Sequence, residues 1–301
     1  MIRVPSEKHF FAFDPSVKPA VSVDLNQDVT LETLDCFSNQ ILSEDQLVTD
    51  IDFSRVNPAT GPVFVNGVKP GDALVVNIKR IDLVDSGVIV TVSGFGVLGD
   101  LVEKAKTRVC RINGDTVDFL GMDIPMGKMI GVIGVATPEK TPCGVPGRHG
   151  GNLDSKVITE GAKLYLPVFY EGGLFGLGDL HAVMGDGEIC VASCETHGEV
   201  TVSFSKVDGA NIAWPFVEDK DYFYILVSKE DVFEAFKEGV KYGVKALQYS
   251  NELEWHDAYM LGSLVIDVQV SQLVNPSKTI RVRIPKKYVS LSGLLSALGS
   301  S

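Results

Sequence analysis

No stretch of this chain reaches the roughly eighteen uninterrupted apolar residues that a membrane-spanning helix needs. Its opening, MIRVPSEKHFFAF from Met1 to Phe13, lacks the apolar run of roughly 7–15 residues that marks a secretory signal. A soluble, cytoplasmic protein is the expectation. Positive charge is also short: 27 Lys and Arg against 39 Asp and Glu leave a net charge of −12. Nucleic acids and anionic membranes are bound through clustered Lys and Arg, so neither is an expected partner. Also missing are a C-x-x-C pair, a G-x-S-x-G elbow, a P-loop and a Rossmann glycine fingerprint. Cysteine-pair redox or zinc chemistry, serine hydrolysis, nucleotide hydrolysis and dinucleotide-dependent chemistry all lose support. The five cysteines, Cys36, Cys110, Cys143, Cys190 and Cys194, are odd in number and read as free thiols of a reducing compartment.

What the chain does hold is short Val- and Ile-rich runs punctuated by 30 glycines and 14 prolines. Ala73–Ile81, Gly87–Ser93, Lys163–Phe169, Glu188–Cys194, Glu199–Phe204 and Tyr222–Val227 read as strands, several with the alternation of a half-buried sheet. Strands without intervening helices predict a mainly β protein: an antiparallel β-sandwich or barrel-like core with a few helices, mostly C-terminal. Ser228 is placed to cap a helix over Lys229–Gln248, with Val232, Phe233, Phe236, Val240, Val244 and Leu247 on one face. Asp257–Gln272 carries a similar stripe, Thr30–Gln40 is a candidate short helix, and the tail from Leu291 is expected to fray. No repeat or linker divides residues 1–301, so one unit is expected, more helical from about residue 228.

Polar groups with chemical potential crowd between Arg148 and His197, where three of the five histidines fall. Asp179 and His181, two apart, share a face if that segment is extended. A turn at Gly185-Asp186-Gly187 would return Glu188 beside His181, whereas Glu195, seven residues on, would face away on a regular strand. Imidazole with carboxylates suits Zn²⁺, and carboxylates with carbonyls suit Ca²⁺. On these grounds His181 is equally a ligand and a strand histidine bonded to a backbone carbonyl. Asp186 reads as a turn residue and His149 as a loop histidine or a ligand. The glycines of RHGGNLD (148–154) let a backbone approach a ligand closely beside Asn152 and Asp154, though the same residues make an ordinary loop. A nucleophile at Cys143, Cys190 or Cys194 has less support, because the last two sit as apolar filler in a strand.

Taken together, NPATGPVFVNGVKPGD (57–72), PMGKMIGVIGVA (125–136), RHGGNLD, LYLPVFYEGGLFGLGDLHAVMGDGE (164–188) and VSQLVNP (270–276) resemble the acetamidase/formamidase family, collinearly and over most of the chain. The resemblance implies a β-sandwich-like fold, hydrolysis of a short aliphatic amide to carboxylate and ammonia, and homodimers. It puts the polar centre at Asp154, Asp179, His181, Glu188 and Glu195. A divalent metal, zinc or alternatively calcium, is then expected on His181, Asp154, Asp179 and His149. Glu195, Glu188 and Asp154 are the candidate catalytic acids, and Asn57, Thr60 and Asn152 the candidate binders of the amide. The rival readings are a non-catalytic protein braced by Ca²⁺ and a lactamase or amidase for a larger amide.

Overall fold

In the computed structural model, which describes residues 2–300, the long strands carry two apolar faces. Along Ala73–Leu83, Leu74, Val76 and Ile78 enter one buried cluster and Ala73 and Val75 another. A strand apolar on both faces needs a layer on each side of its sheet. The nine-stranded sheet that contains it is accordingly sandwiched. One face packs on an eleven-stranded sheet and the other is covered by three helices. Between the sheets Phe204 meets Phe175 edge to face, with ring centres 5.0 Å apart.

Pairing is antiparallel except where Ile2–Val4 joins Asp28–Glu32 and Val21–Val23 joins Ala59–Val65. Neither sheet closes into a barrel, so of the two mainly-β architectures expected the sandwich is the one formed. The helices are α1 (Val232–Asn251), α2 (Trp255–Val265) and α3 (Leu291–Gly299), all beyond residue 228. None of them is long and apolar enough to cross a membrane.

Several boundaries differ from the sequence expectation. Ser228 does not cap α1: it lies within the strand Tyr222–Lys229, its hydroxyl 3.0 Å from that of Thr279. Asp231 caps instead, accepting from the Glu234 N–H at 2.9 Å. The apolar stripe was drawn too wide, since Phe233 is 67% exposed. The expected helix Asp257–Gln272 ends at Val265, because Asp267–Gln272 is drawn into a hairpin with Lys278–Pro285. Leu264, within that helix, is 82% exposed. No helix forms over Thr30–Gln40. Its start is strand, and the Asp35 carboxylate folds the rest into a turn by accepting from the N–H groups of Phe37 (2.9 Å) and Asn39 (2.7 Å). Glu188–Cys194 is irregular, because Glu188 (φ 47°) and Val191 (φ 84°) adopt left-handed conformations that no strand accepts. The tail is ordered as α3, capped by Ser290 and anchored by buried Leu294, Ala297 and Leu298.

Candidate active site

The site is assembled on the strand Phe175–His181 of the eleven-stranded sheet. Met129–Gly134 lies on one side of it and Glu195–Thr196 on the other, with Met129 and Glu195 both in register with His181. Gly150–Asn152 pairs with the far side of Met129–Gly134 and delivers Asp154 two residues later. Gly131 sits beneath the result. A Cβ there would lie 2.5 Å from both Asp154 Oδ1 and Asp179 Oδ2, so the two carboxylates converge over a position that only glycine leaves open. Asp154 (φ 40°), Asp179 (φ 56°) and Glu188 (φ 47°) are all left-handed, which concentrates backbone strain on this cluster.

Four carboxylates surround one imidazole. From His181 Nε2 the distances are 3.0 Å to Glu195 Oε2, 3.3 Å to Asp179 Oδ1, and 4.0 Å to both Asp154 Oδ1 and Glu188 Oε1. All five residues are buried. Their side chains form two adjoining groups of potential ligands, Asp154–His181–Glu188 and Cys36–Asp179–Glu195.

Burial pushes Asp154 up to about 6, with the charge of Asp179 adding to it, and burial likewise raises Asp179 to about 6. Glu188 is driven well above the carboxylate range by burial and by Asp154. Burial alone would depress His181, but the charges of Glu195 and Asp179 hold it well above an ordinary histidine. The Cys36 thiol is raised by burial and by the same two acids.

With every acid ionised, four carboxylates against one imidazolium would leave three negative charges uncompensated. Among the described residues His181 is the one basic group paired with them. An isolated buried charge costs far more than its neighbours here return. Asp154 Oδ1 and Glu195 Oε2 have no hydrogen bond. The latter approaches His181 without hydrogen-bond alignment, while Glu195 Oε1 accepts from the Ser193 N–H at 2.6 Å. Unpaired buried oxygens, excess negative charge and a nearby imidazole fit a divalent cation, and a mixed oxygen and nitrogen set suits zinc while tolerating calcium.

A cavity of about 330 Å³ opens onto this cluster, with Asn57, Asn152, Asp179, Glu188, Glu195 and Asn275 as its polar lining. Glu195 therefore does not face away from Glu188, because the intervening segment is not a strand. Cys190 and Cys194 are for the same reason not in a strand; they line a neighbouring cavity, and Cys143 is buried in a separate cluster.

Two expected residues are placed elsewhere. Thr60 spends its hydroxyl on the Glu32 carbonyl at 2.6 Å and does not line the cavity. His149 belongs to neither ligand group. It packs edge-on against Phe13 with ring centres 5.1 Å apart, and burial depresses its pKa to about 4. Asp186 pairs with Arg281 at 2.7 Å and Lys156 at 3.2 Å. Sequence reasoning missed Cys36 and Asn275. Only the presence of Asn275 inside the VSQLVNP block could have drawn notice to it.

The chain matches the model of the Acetamidase/Formamidase family over residues 5–143 and 139–288. A crystal structure of an acetamidase from Bacillus halodurans superposes with a TM-score of 0.93 at 40% identity, covering 95% of this chain and 98% of that one. A predicted acetamidase/formamidase from Thermoanaerobacter tengcongensis gives 0.90 at 40% identity, covering 100% and 98%. A formamidase from Methylophilus methylotrophus is 26% identical over 235 residues, 58% of each chain. The chain spans about three fifths of the length of the curated relatives it matches.

Proposed function

The chain belongs to the acetamidase/formamidase family, and on that premise we propose that it hydrolyses short aliphatic amides, of the formamide and acetamide class, to carboxylate and ammonia. The observation that carries the reading is the convergence of unpaired Asp154 Oδ1 and Glu195 Oε2 on His181, beside a cavity lined by Asp179, Glu188 and Glu195. His181, Asp154 and Glu188 would hold a divalent cation, zinc before calcium, with Asp179 beside them. Such an ion, when bound, polarises a carbonyl and makes water acidic enough to attack near neutral pH.

The chain's own groups supply the rest. Asn152 Oδ1, buried without a partner, accepts from the amide NH₂, and Asn57 sits beside it in the lining. Glu195, with Oε1 fixed by Ser193, has Oε2 free to take a proton from the attacking water and return it to the departing nitrogen. Glu188, braced by the Ser193 hydroxyl at 3.3 Å, is held in place as a ligand. The same reading makes the protein a cytoplasmic homodimer, which sedimentation tests for mass. Ammonia release from formamide and acetamide, with and without a chelator, tests the activity. Chelator-sensitive release is expected, and a protein that binds calcium yet releases no ammonia would instead be a braced, non-catalytic one.

A further inference from the structure

Besides its polar groups the cavity is lined by Phe37, Val48, Phe53, Val56, Phe95 and Val274, and among the described residues no lysine or arginine lines it. Its volume of about 330 Å³ is some twice the roughly 150 Å³ in which a protein interior takes up benzene. Formamide brings no carbon to such a wall and acetamide one methyl, so neither draws on it.

The apolar wall is held in place. Asp35 anchors the turn that carries Phe37. Phe53 begins a short 3₁₀ turn, Phe53–Arg55, capped by the Asp52 carboxylate, which accepts from the Ser54 N–H at 3.0 Å. Phe95 lies in a loop docked through the Val97 N–H to the Ile189 carbonyl at 2.8 Å. The docking is close: a Cβ on the neighbouring Gly96 would fall 2.9 Å from that carbonyl. Phe53 and Phe95 remain 54% and 57% exposed at the mouth, where a substrate would cover them.

Resting on the amide hydrolysis proposed above, we infer that the site selects neutral primary amides with a compact apolar acyl group of about four to seven carbons, branched or aromatic. Among neutral amides formamide and acetamide are then its weakest substrates. The chemistry is unchanged: water adds its oxygen to the acyl carbon, the C–N bond breaks, and the nitrogen leaves as ammonia with the proton that water gives up. Anionic acyl chains are rejected, since the cavity lining meets them with buried carboxylates and no lysine or arginine.

The test is kcat/KM of the metal-loaded protein on formamide, acetamide, isobutyramide, benzamide and the anionic amide succinamate. Each carbon buried against the wall is worth about fourfold. Isobutyramide should therefore exceed acetamide by about 16-fold, benzamide should equal or surpass isobutyramide, and succinamate should fall lowest. Phe53→Ala and Phe95→Ala should each lower the benzamide-to-acetamide ratio by about three- to tenfold. A kcat/KM that declines from acetamide to isobutyramide and benzamide, or a ratio that both variants leave unmoved, overturns the inference while leaving amide hydrolysis standing. Silence on every amide, acetamide included, overturns the hydrolase reading itself.

Discussion

Asn275 donates from Nδ2 to Asp154 Oδ2 over 2.7 Å, joining residues 121 positions apart in the chain. Its second amide hydrogen goes to the Asn152 carbonyl at 3.0 Å. The loop that carries it is tied by Gln272, whose Oε1 accepts from the N–H groups of Val274 and Asn275 and whose Nε2 donates to the Ser277 carbonyl. This leaves Asp154 Oδ1 as the free oxygen facing His181. Outer partners of this kind are worth roughly 10–100-fold in metal affinity or activity. Asn275→Ala should lose that much in metal affinity, measured by competition with a chelator, and Asn275→Leu should not restore it. An affinity unchanged in both would show that Asp154 needs no orienting.

Gly131→Ala isolates the site from the fold. The added methyl meets the ends of two carboxylates, which can swing aside, and no backbone atom is among its close contacts. The variant should keep its circular dichroism and lose about 100-fold or more in ammonia release, as a displaced catalytic constellation does. Full activity in the alanine variant would mean that Asp154 and Asp179 are not required where they stand.

Much of this site was legible in the sequence. The crowding of Asp154, Asp179, His181, Glu188 and Glu195 into one stretch with family-like blocks pointed to a polar centre, and those five side chains do come together. Its geometry was not legible, because left-handed backbone at Asp154, Asp179 and Glu188 defeats strand periodicity. ICVASC (189–194) has the composition of a strand but turns irregularly after Glu188, which is why Glu195 was expected to face away. Cys36 and Asn275 arrive from remote segments with no local signal. Thr60 and His149 drew attention through their neighbours, yet the Thr60 hydroxyl is spent on a carbonyl and the His149 ring packs on Phe13, outside both ligand groups. The strand Asp267–Gln272 was readable: DVQVSQ alternates with a period of two, which contradicted the helix drawn through it.

His149 carries a pH signature for stability. Burial lowers its pKa from near 6.5 to about 4, so between those values the unfolded chain binds a proton that the native state refuses. Stability is therefore complete above about pH 6.5 and declines as pH falls toward 4, by about 3 kcal/mol in all. His149→Gln should flatten the fall in melting temperature between pH 7 and 4.5. Parallel curves for the two proteins would show that His149 is not buried neutral.

The C-terminal helix is predicted to contribute to stability rather than fray. Leu298 is fully buried against the helical face of the nine-stranded sheet, and its replacement by alanine should cost about 2–5 kcal/mol in urea unfolding. A loss below about 0.5 kcal/mol, the range of surface substitutions, would mean that α3 is not docked in solution.

Under the proposed function, the buried acids around His181 capture a divalent cation used in hydrolysis. Metal content and ammonia release from acetamide, measured side by side on the purified protein and on His181→Ala, test it most directly. A stoichiometric divalent ion and chelator-sensitive ammonia release are expected in the first, and loss of both in the second. A metal-free protein that still turns over acetamide, or a His181→Ala variant with activity intact, would contradict it.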